Sequence, residues 1–296
     1  MEKIGFIGLG IMGKPMSRNL LKAGYELEVF DISKDAVAEI VKAGAHACTS
    51  PKEIAEKCSL IITMVPNSPQ VKEVVCGPNG ILEGMKPGTI LMDMSSINPI
   101  ASREVGAEIE KHGGFMIDAP VSGGEPKAID GSLSIMCGGK KEIFDKVEKI
   151  LHVMGKSVTL CGDLGAGNTT KLANQIVVAV NIAAVSEALM LGKRAGVDPQ
   201  KIFEAIRGGL AGSTVMDAKA PMILSGNFKP GFRIALHIKD LNNVIEAAHK
   251  VGSPLPLTSA VMEMMQFLRS HGHDALDHSS LAKYYEFLTG TSLEEK

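Results

Sequence analysis

Lys3-Ile4-Gly5-Phe6-Ile7-Gly8-Leu9-Gly10-Ile11-Met12-Gly13 reads as a short apolar strand, a glycine-rich turn, and the start of a helix running from Met12 to Lys22. A lone G-x-G-x-x-G is a weak signal. This one lies between strand and helix, where a phosphate-binding turn has to be. Gly8 permits the tight turn, Gly10 lets backbone approach a pyrophosphate, and Gly13 lets helix pack closely on strand. The helix N-terminus then turns N–H groups and a positive dipole toward the phosphates. Leu9, Ile11 and Met12 complete the turn, so Gly8–Gly13 is the candidate cofactor cradle. Asp31 closes the second strand, Leu27–Asp31, 18 residues after Gly13. An acid there accepts the ribose hydroxyls of NAD and repels the extra phosphate of NADP. Lys34, close by, blunts that repulsion. The expected cofactor is NAD, with NADH preferred and NADP the second choice.

Outward from this stretch, apolar runs alternate with helical patterns. Ser59–Met64, Thr89–Asp93 and Phe115–Asp118 read as further strands, and Leu133–Cys137 and Ser157–Cys161 as two more, flanking a helix at Lys141–Met154. Strand–helix alternation of this kind predicts a mostly parallel, doubly wound α/β sheet covered on both faces. The alternation stops near Cys161. Beyond Gly165 the chain reads as all helical, beginning with a helix to about Arg194 that Asn168 or Thr169 can cap. That helix is roughly 26 residues, or about 39 Å. Further helices are predicted at Pro199–Gly208, Thr214–Leu224, Ile238–Val251, Pro256–Ser270 and Ser279–Leu288. The expected division is 1–163 for the cofactor-binding domain and 164–296 for an all-α domain that opens on the long helix.

Bulk composition narrows the function classes. At 296 residues the chain is long enough for two domains, and 45% apolar against 22% charged residues can build a core. A net charge of −2 without a basic block argues against nucleic acid as a partner. Five scattered cysteines, none in a C-x-x-C pair, fit a reducing cytoplasm. No signal-peptide pattern opens the sequence. Leu172–Leu191 has the length of a membrane span, but Asn174, Gln175, Asn181, Ser186 and Glu187 interrupt it, so a buried helix and no membrane is the reading. His271, His273 and His278 with Asp274 and Asp277 match no tight metal-ligand spacing, so no metal is expected.

Three further stretches can carry chemistry. Val65-Pro66-Asn67 and Ser95-Ser96 follow strands at the carboxyl edge, where ligands lie on open parallel sheets. Ser96 is a candidate donor near the nicotinamide ribose, although ordinary turn chemistry explains these residues nearly as well. Asp118-Ala119-Pro120-Val121-Ser122-Gly123-Gly124 can bind a carboxylate through backbone N–H groups and the Ser122 hydroxyl. Lys171 is the lone cation on an apolar helix; Asn174 and Asn181 share its face and Gln175 sits beside it. A lysine so placed can protonate an alkoxide formed by hydride transfer. Taken alone, a lysine paired with a carboxylate is an equal reading. Lys239 and Asp240 open a helix whose far side is apolar and could close the site from the second domain, with a solvated helix start the stronger reading from the residues alone.

Together these pieces resemble the β-hydroxyacid dehydrogenase, or 3-hydroxyisobutyrate dehydrogenase, family. Its opening signature is intact at Phe6–Asn19, and the Asp118–Gly124 loop and the Gly165–Lys171 segment also match. The resemblance covers essentially the whole chain. It implies a Rossmann domain followed by a helical domain that assembles into homodimers or homotetramers, acting on a small aldehyde or hydroxyacid. It implies that Lys171 is catalytic. It further implies that Ser122, Gly123 and Gly124 hold the substrate carboxylate with Asn174 and Gln175 beside it, and that Ser96, Phe232 and Lys239 serve the cofactor. Pro120–Gly131, Arg207–Thr214 and Phe228–Arg233 resemble the semialdehyde-reductase branch. Gln175 stands where many relatives carry asparagine, in agreement with that branch. A non-catalytic nucleotide sensor is the remaining alternative, disfavoured by the retained Lys171.

Overall fold

The structure is a computed structural model that describes residues 3–294. It divides into two compact units, one ending at Lys171 and the other beginning at Leu172.

The first unit carries strands β1 (Lys3–Ile7), β2 (Glu26–Phe30), β3 (His46–Ala47), β4 (Leu60–Thr63), β5 (Ile90–Asp93), β6 (Phe115–Asp118), β7 (Val121–Ser122), β8 (Leu133–Gly138) and β9 (Gly155–Gly162). Its helices are α1 (Gly13–Lys22), α2 (Lys34–Val41), α3 (Pro51–Lys57), α4 (Ser68–Cys76), α5 (Ile81–Gly84), α6 (Pro99–Lys111), α7 (Gly124–Ile129) and α8 (Lys141–Met154). One sheet runs in the order β3-β2-β1-β4-β5-β6-β8-β7, with β9 paired to β8. The first six strands in that order are all parallel, with the crossover after β3 that defines a doubly wound nucleotide fold. Side chains alternate between two cores: Leu60 and Ile62 of β4 face one, Ile61 the other. Both faces are dry, which is why these strands read as unbroken apolar runs.

Past β6 the sheet departs from the parallel pattern. β8 runs antiparallel to β6, meeting it at Asp118 and Gly138, and antiparallel to β7. Val121–Ser122, read from sequence as loop, is that two-residue strand, and Gly124 opens α7.

Helix α9 (Ala166–Arg194) spans the division between the units. The second unit continues with α10 (Pro199–Ile206), α11 (Thr214–Leu224), α12 (Ile234–Val251), α13 (Pro256–Ser270), a 3₁₀ turn at His278–Leu281 and α14 (Ala282–Thr289). Leu172, Ala179 and Ile182 of α9 pack with Ile238, Leu241 and Met265, while Val185 and Leu189 pack with Phe203, Ala220 and Ile223. Helix α9 is long and apolar enough to cross a membrane, but half of its apolar window is buried, as in a core helix.

Two helix starts differ from the sequence reading. Asn168 and Thr169 do not cap α9; both lie inside it. Helix α12 begins at Ile234, so Lys239 and Asp240 fall in its second turn. In each case distant groups take up the first N–H groups. The Ile234 and Ala235 N–H groups donate to the carbonyls of Leu276 and Asp274.

Candidate active site

The cradle at Gly8–Gly13 is built by close backbone approach. Gly8 has φ +97°, and a Cβ there would overlap the Met64 carbonyl. A Cβ on Gly13 would overlap the Gly8 carbonyl, so α1 can rest on the turn only because Gly13 has none. Around Gly10 a Cβ would meet nothing within 4 Å. The open side of the turn is therefore free for a phosphate chain, and no side chain caps α1. These residues fit a dinucleotide. Leu9 is buried beneath the turn, while Ile11 stands exposed at its rim. Asp31 follows β2 directly. Its Oδ2 accepts the Leu9 N–H at 2.6 Å and its Oδ1 the Ser33 N–H at 2.7 Å, so this acid braces the glycine turn.

The neighbouring loops are stitched together by a buried acid. Asp93, at the end of β5, accepts the Thr63 hydroxyl at 2.9 Å and the Ser95 N–H at 3.1 Å through Oδ1. Ser95 in turn accepts the Val65 N–H at 2.9 Å. Ser95, wholly buried, thus ties the start of the Val65-Pro66-Asn67 loop to the loop after β5 that carries the half-buried Ser96. Burial pushes the Asp93 carboxyl up to about 6, and the charge of Asp118 on the adjacent strand adds to this. Burial likewise pushes Asp118 up to about 6, against the N–H groups of Asn168 and Gly165 that it accepts.

The Ser122-Gly123-Gly124 turn runs from β7 into α7. Gly123 (φ +135°) and Gly124 (φ +68°) adopt backbone that side chains rarely allow, and Ser122 is half-buried. Lys171 is 7% exposed in the second turn of α9.

In the second unit, Gln175 is 4% exposed and its amide is engaged at both ends. Nε2 donates to Asp240 Oδ2 at 2.5 Å, and Oε1 accepts from Asn174 Nδ2 at 2.8 Å. Asp240 also lies 2.7 Å from the Lys239 ammonium. Gln175 therefore orients Asn174 and, through Asp240, Lys239. Behind them His237 and His278 share an Nδ1–Nδ1 hydrogen bond of 2.9 Å, and His237 Nε2 donates to the Gln175 carbonyl at 3.3 Å. The ring of Phe232 meets both imidazoles edge-on. Asn181 accepts the hydroxyl of Ser213, the cap of α11, and so serves the fold. Among the described residues no cluster of three or more His, Cys, Asp or Glu side chains is arranged to hold a metal.

His237 escapes a reading of motifs, and Asp93 is visible only as the acid that closes an apolar strand. Asn168 and Asp240 are visible in sequence as helix-start residues, but their buried partners are not.

A doubly wound sheet with this glycine cradle defines a dinucleotide-binding fold. Comparison with known proteins narrows it. The family model of the NAD binding domain of 6-phosphogluconate dehydrogenase matches residues 3–162, and that of the NAD-binding domain of NADP-dependent 3-hydroxyisobutyrate dehydrogenase matches residues 165–285. The 2-hydroxy-3-oxopropionate reductase of Escherichia coli K12 is 42% identical over 98% of this chain and 99% of its own. The 2-(hydroxymethyl)glutarate dehydrogenase of Eubacterium barkeri is 39% identical over 98% and 97%. A solved 3-hydroxyisobutyrate dehydrogenase of Mycobacterium tuberculosis, with L-serine, superposes with a TM-score of 0.89 at 32% identity, over 96% of this chain and 98% of that one. The chain belongs to the 3-hydroxyisobutyrate dehydrogenase family, whose members are NAD(P)-dependent β-hydroxyacid dehydrogenases.

Proposed function

We propose that the chain reduces 2-hydroxy-3-oxopropionate (tartronate semialdehyde) to D-glycerate with NADH, reversibly. The observation that carries this reading is Lys171, a buried cation on the helix that follows the nucleotide fold. The likeness to the Escherichia coli reductase over nearly the full length of both chains supports this choice of substrate.

When bound, reduced nicotinamide supplies a hydride to the aldehyde carbon. Lys171 polarises the carbonyl oxygen and then gives it a proton, leaving the neutral amine to be recharged from solvent. Ser122 and the N–H groups of Gly123 and Gly124 hold the carboxylate, and Asn174, oriented by Gln175, holds the rest of the substrate. Gly8–Gly13, Asp31, Val65, Pro66, Asn67, Ser96, Phe232 and Lys239 are assigned to the cofactor. Ala173, Val177, Val180 and Ala184 recur at three- and four-residue spacing on α9, Leu191 follows seven residues later, and Val177 and Leu191 are 62% and 72% exposed. That apolar stripe supports a homodimer or homotetramer. The five free cysteines support a cytoplasmic setting.

The test is NADH oxidation with tartronate semialdehyde beside methylmalonate semialdehyde. A kcat/KM at least about tenfold higher for the hydroxylated substrate is expected, the scale on which a site separates a hydroxyl from a methyl. The reverse preference moves the chain to 3-hydroxyisobutyrate, and turnover of neither, despite NADH binding, overturns the reading.

The same assay tests cofactor choice. Asp31→Ala should lower the ratio of kcat/KM for NADH over NADPH about tenfold, equal to about 1.4 kcal/mol. Both values should also fall, because the Leu9 N–H loses its acceptor. An unchanged ratio removes Asp31 as the selector.

A further inference from the structure

Helix α9 begins without a cap of its own. Its first residue is Ala166, and the residue before it is Gly165, which has no side chain to take the N–H groups of the first turn. Asp118 supplies that cap from 47 and 50 residues away. Its Oδ1 accepts the Gly165 N–H at 2.7 Å and its Oδ2 the Asn168 N–H at 2.6 Å. Those are the two N–H groups, at the cap and three residues on, that a capping box satisfies with two local side chains. Here one carboxylate on the last residue of β6 takes both, and it is wholly buried.

Asn168 adds a second tie. Its Oδ1 accepts the Ile97 N–H at 3.0 Å, and its Nδ2 donates to the Ser102 hydroxyl at 3.1 Å. The first turn of α9 is thereby fastened to β6, to the loop that holds Ser95 and Ser96, and to α6. The fit leaves no room for side chains. A Cβ on Gly167 would overlap the Met136 and Asp118 carbonyls, and one on Gly138 would overlap Asp118 Oδ1. The glycines of the Gly165-x-Gly167 segment are therefore explained by the seat and need no ligand. Lys171 follows Asn168 by three residues and Gly167 by four, so it lies on the face directly above this seat. Asp118 is also the root of the Ser122–Gly124 turn, two residues before Pro120.

We propose that Asp118 and Asn168 are positioning residues for the proton donor: they fix the first turn of α9 to the carboxyl edge of the sheet, and so set where the Lys171 amine is presented relative to the Ser122 turn. This rests on the reading of Lys171 as the proton donor. Neither side chain touches substrate in this scheme; both act through the helix. Displacing a reacting group by about 1 Å costs on the order of 100-fold in rate, which sets the scale.

The test compares Asp118→Asn, Asn168→Ala and Lys171→Met, singly and as the doubles Asp118→Asn/Lys171→Met and Asn168→Ala/Lys171→Met. Asparagine at 118 keeps the shape and one acceptor but turns an NH₂ toward the other N–H. Asp118→Asn should lower kcat roughly 10- to 100-fold. The NADH Kd and the KM for the aldehyde should stay within about threefold, since the cradle and the carboxylate turn are intact. The solvent deuterium isotope effect on kcat should rise as proton delivery becomes slower. In the Lys171→Met background, assayed at high enzyme concentration, the same change should alter turnover less than about threefold, because residues acting in one unit are not additive. Equal losses in both backgrounds, or an unchanged kcat in Asp118→Asn, overturn the proposal. Should Asp118→Asn fail to fold, Asn168→Ala and its double with Lys171→Met decide by the same criteria. Wild-type turnover in Lys171→Met alone sinks the reading of Lys171 itself, and that result is visible before either positioning residue is compared.

Discussion

Lys171→Met is expected to lower kcat by about 10²- to 10⁴-fold, the range a positioned proton donor contributes. Methionine keeps the length and apolar stem of lysine and removes only the ammonium. The side chain is 7% exposed and methionine fills nearly the same space, so the exchange leaves no cavity. A circular-dichroism spectrum and thermal midpoint of the variant check that the fold is kept before its turnover is read. The NADH Kd, read by fluorescence or calorimetry, should remain within about threefold, because Gly8–Gly13 and Asp31 are untouched. Loss of both kcat and kcat/KM with binding intact identifies an interaction made in the transition state. A kcat within about threefold of wild type would remove Lys171 from the chemistry and return the sensor reading to consideration.

The parts legible in sequence are those whose causes are local. β1, β4, β5 and β6 are short apolar runs bounded by turn residues, and both faces of the sheet bury them, so composition alone marks them. The glycine turn is legible because strand, turn and helix are contiguous. Lys171 is legible because a charge inside an apolar helix stands out. What sequence does not reveal is set by groups far apart along the chain. The start of α9 depends on Asp118, 47 residues before the Gly165 N–H, so the nearby polar residues Asn168 and Thr169 looked like caps. The start of α12 depends on carbonyls at Asp274 and Leu276. Gln175 illustrates the same limit at the site. The family resemblance implies a substrate contact there, and sequence does not show that both ends of its amide are held, by Asn174 and by Asp240, 65 residues away.

The largest loss of stability is expected at Asp277, which no motif marks. This carboxylate is fully buried. It lies 2.9 Å from the Lys219 ammonium and accepts the N–H groups of Gly231 and Phe232 at 3.0 Å and of Ser279 at 2.9 Å. One acid thus joins α11, the segment that leads into α12, and the 3₁₀ turn carrying His278. Burial alone would raise its pKa, but the charges of His278 and Lys219 and the N–H donors hold it down to about 2. A carboxyl depressed in the folded state stabilises wherever the unfolded chain would also ionise it. Its contribution is therefore fully present above about pH 4 and is lost as the pH falls toward 2. Asp277→Ala strands the lysine and three N–H groups together, and should cost about 3–5 kcal/mol, the usual penalty for removing one partner of a buried ion pair. The check is urea unfolding at pH 7, followed by a helix signal and compared with Asp277→Ala/Lys219→Met. Methionine at 219 removes the stranded cation, so the double variant should recover part of the loss. A single-variant loss below about 1 kcal/mol would show that water replaces the carboxylate and that the hub carries little. Asp277 also fixes the backbone of Gly231 and Phe232 where α12 begins, so under the proposed assignment of Phe232 and Lys239 to the cofactor, Asp277→Ala should weaken NADH binding as well as stability.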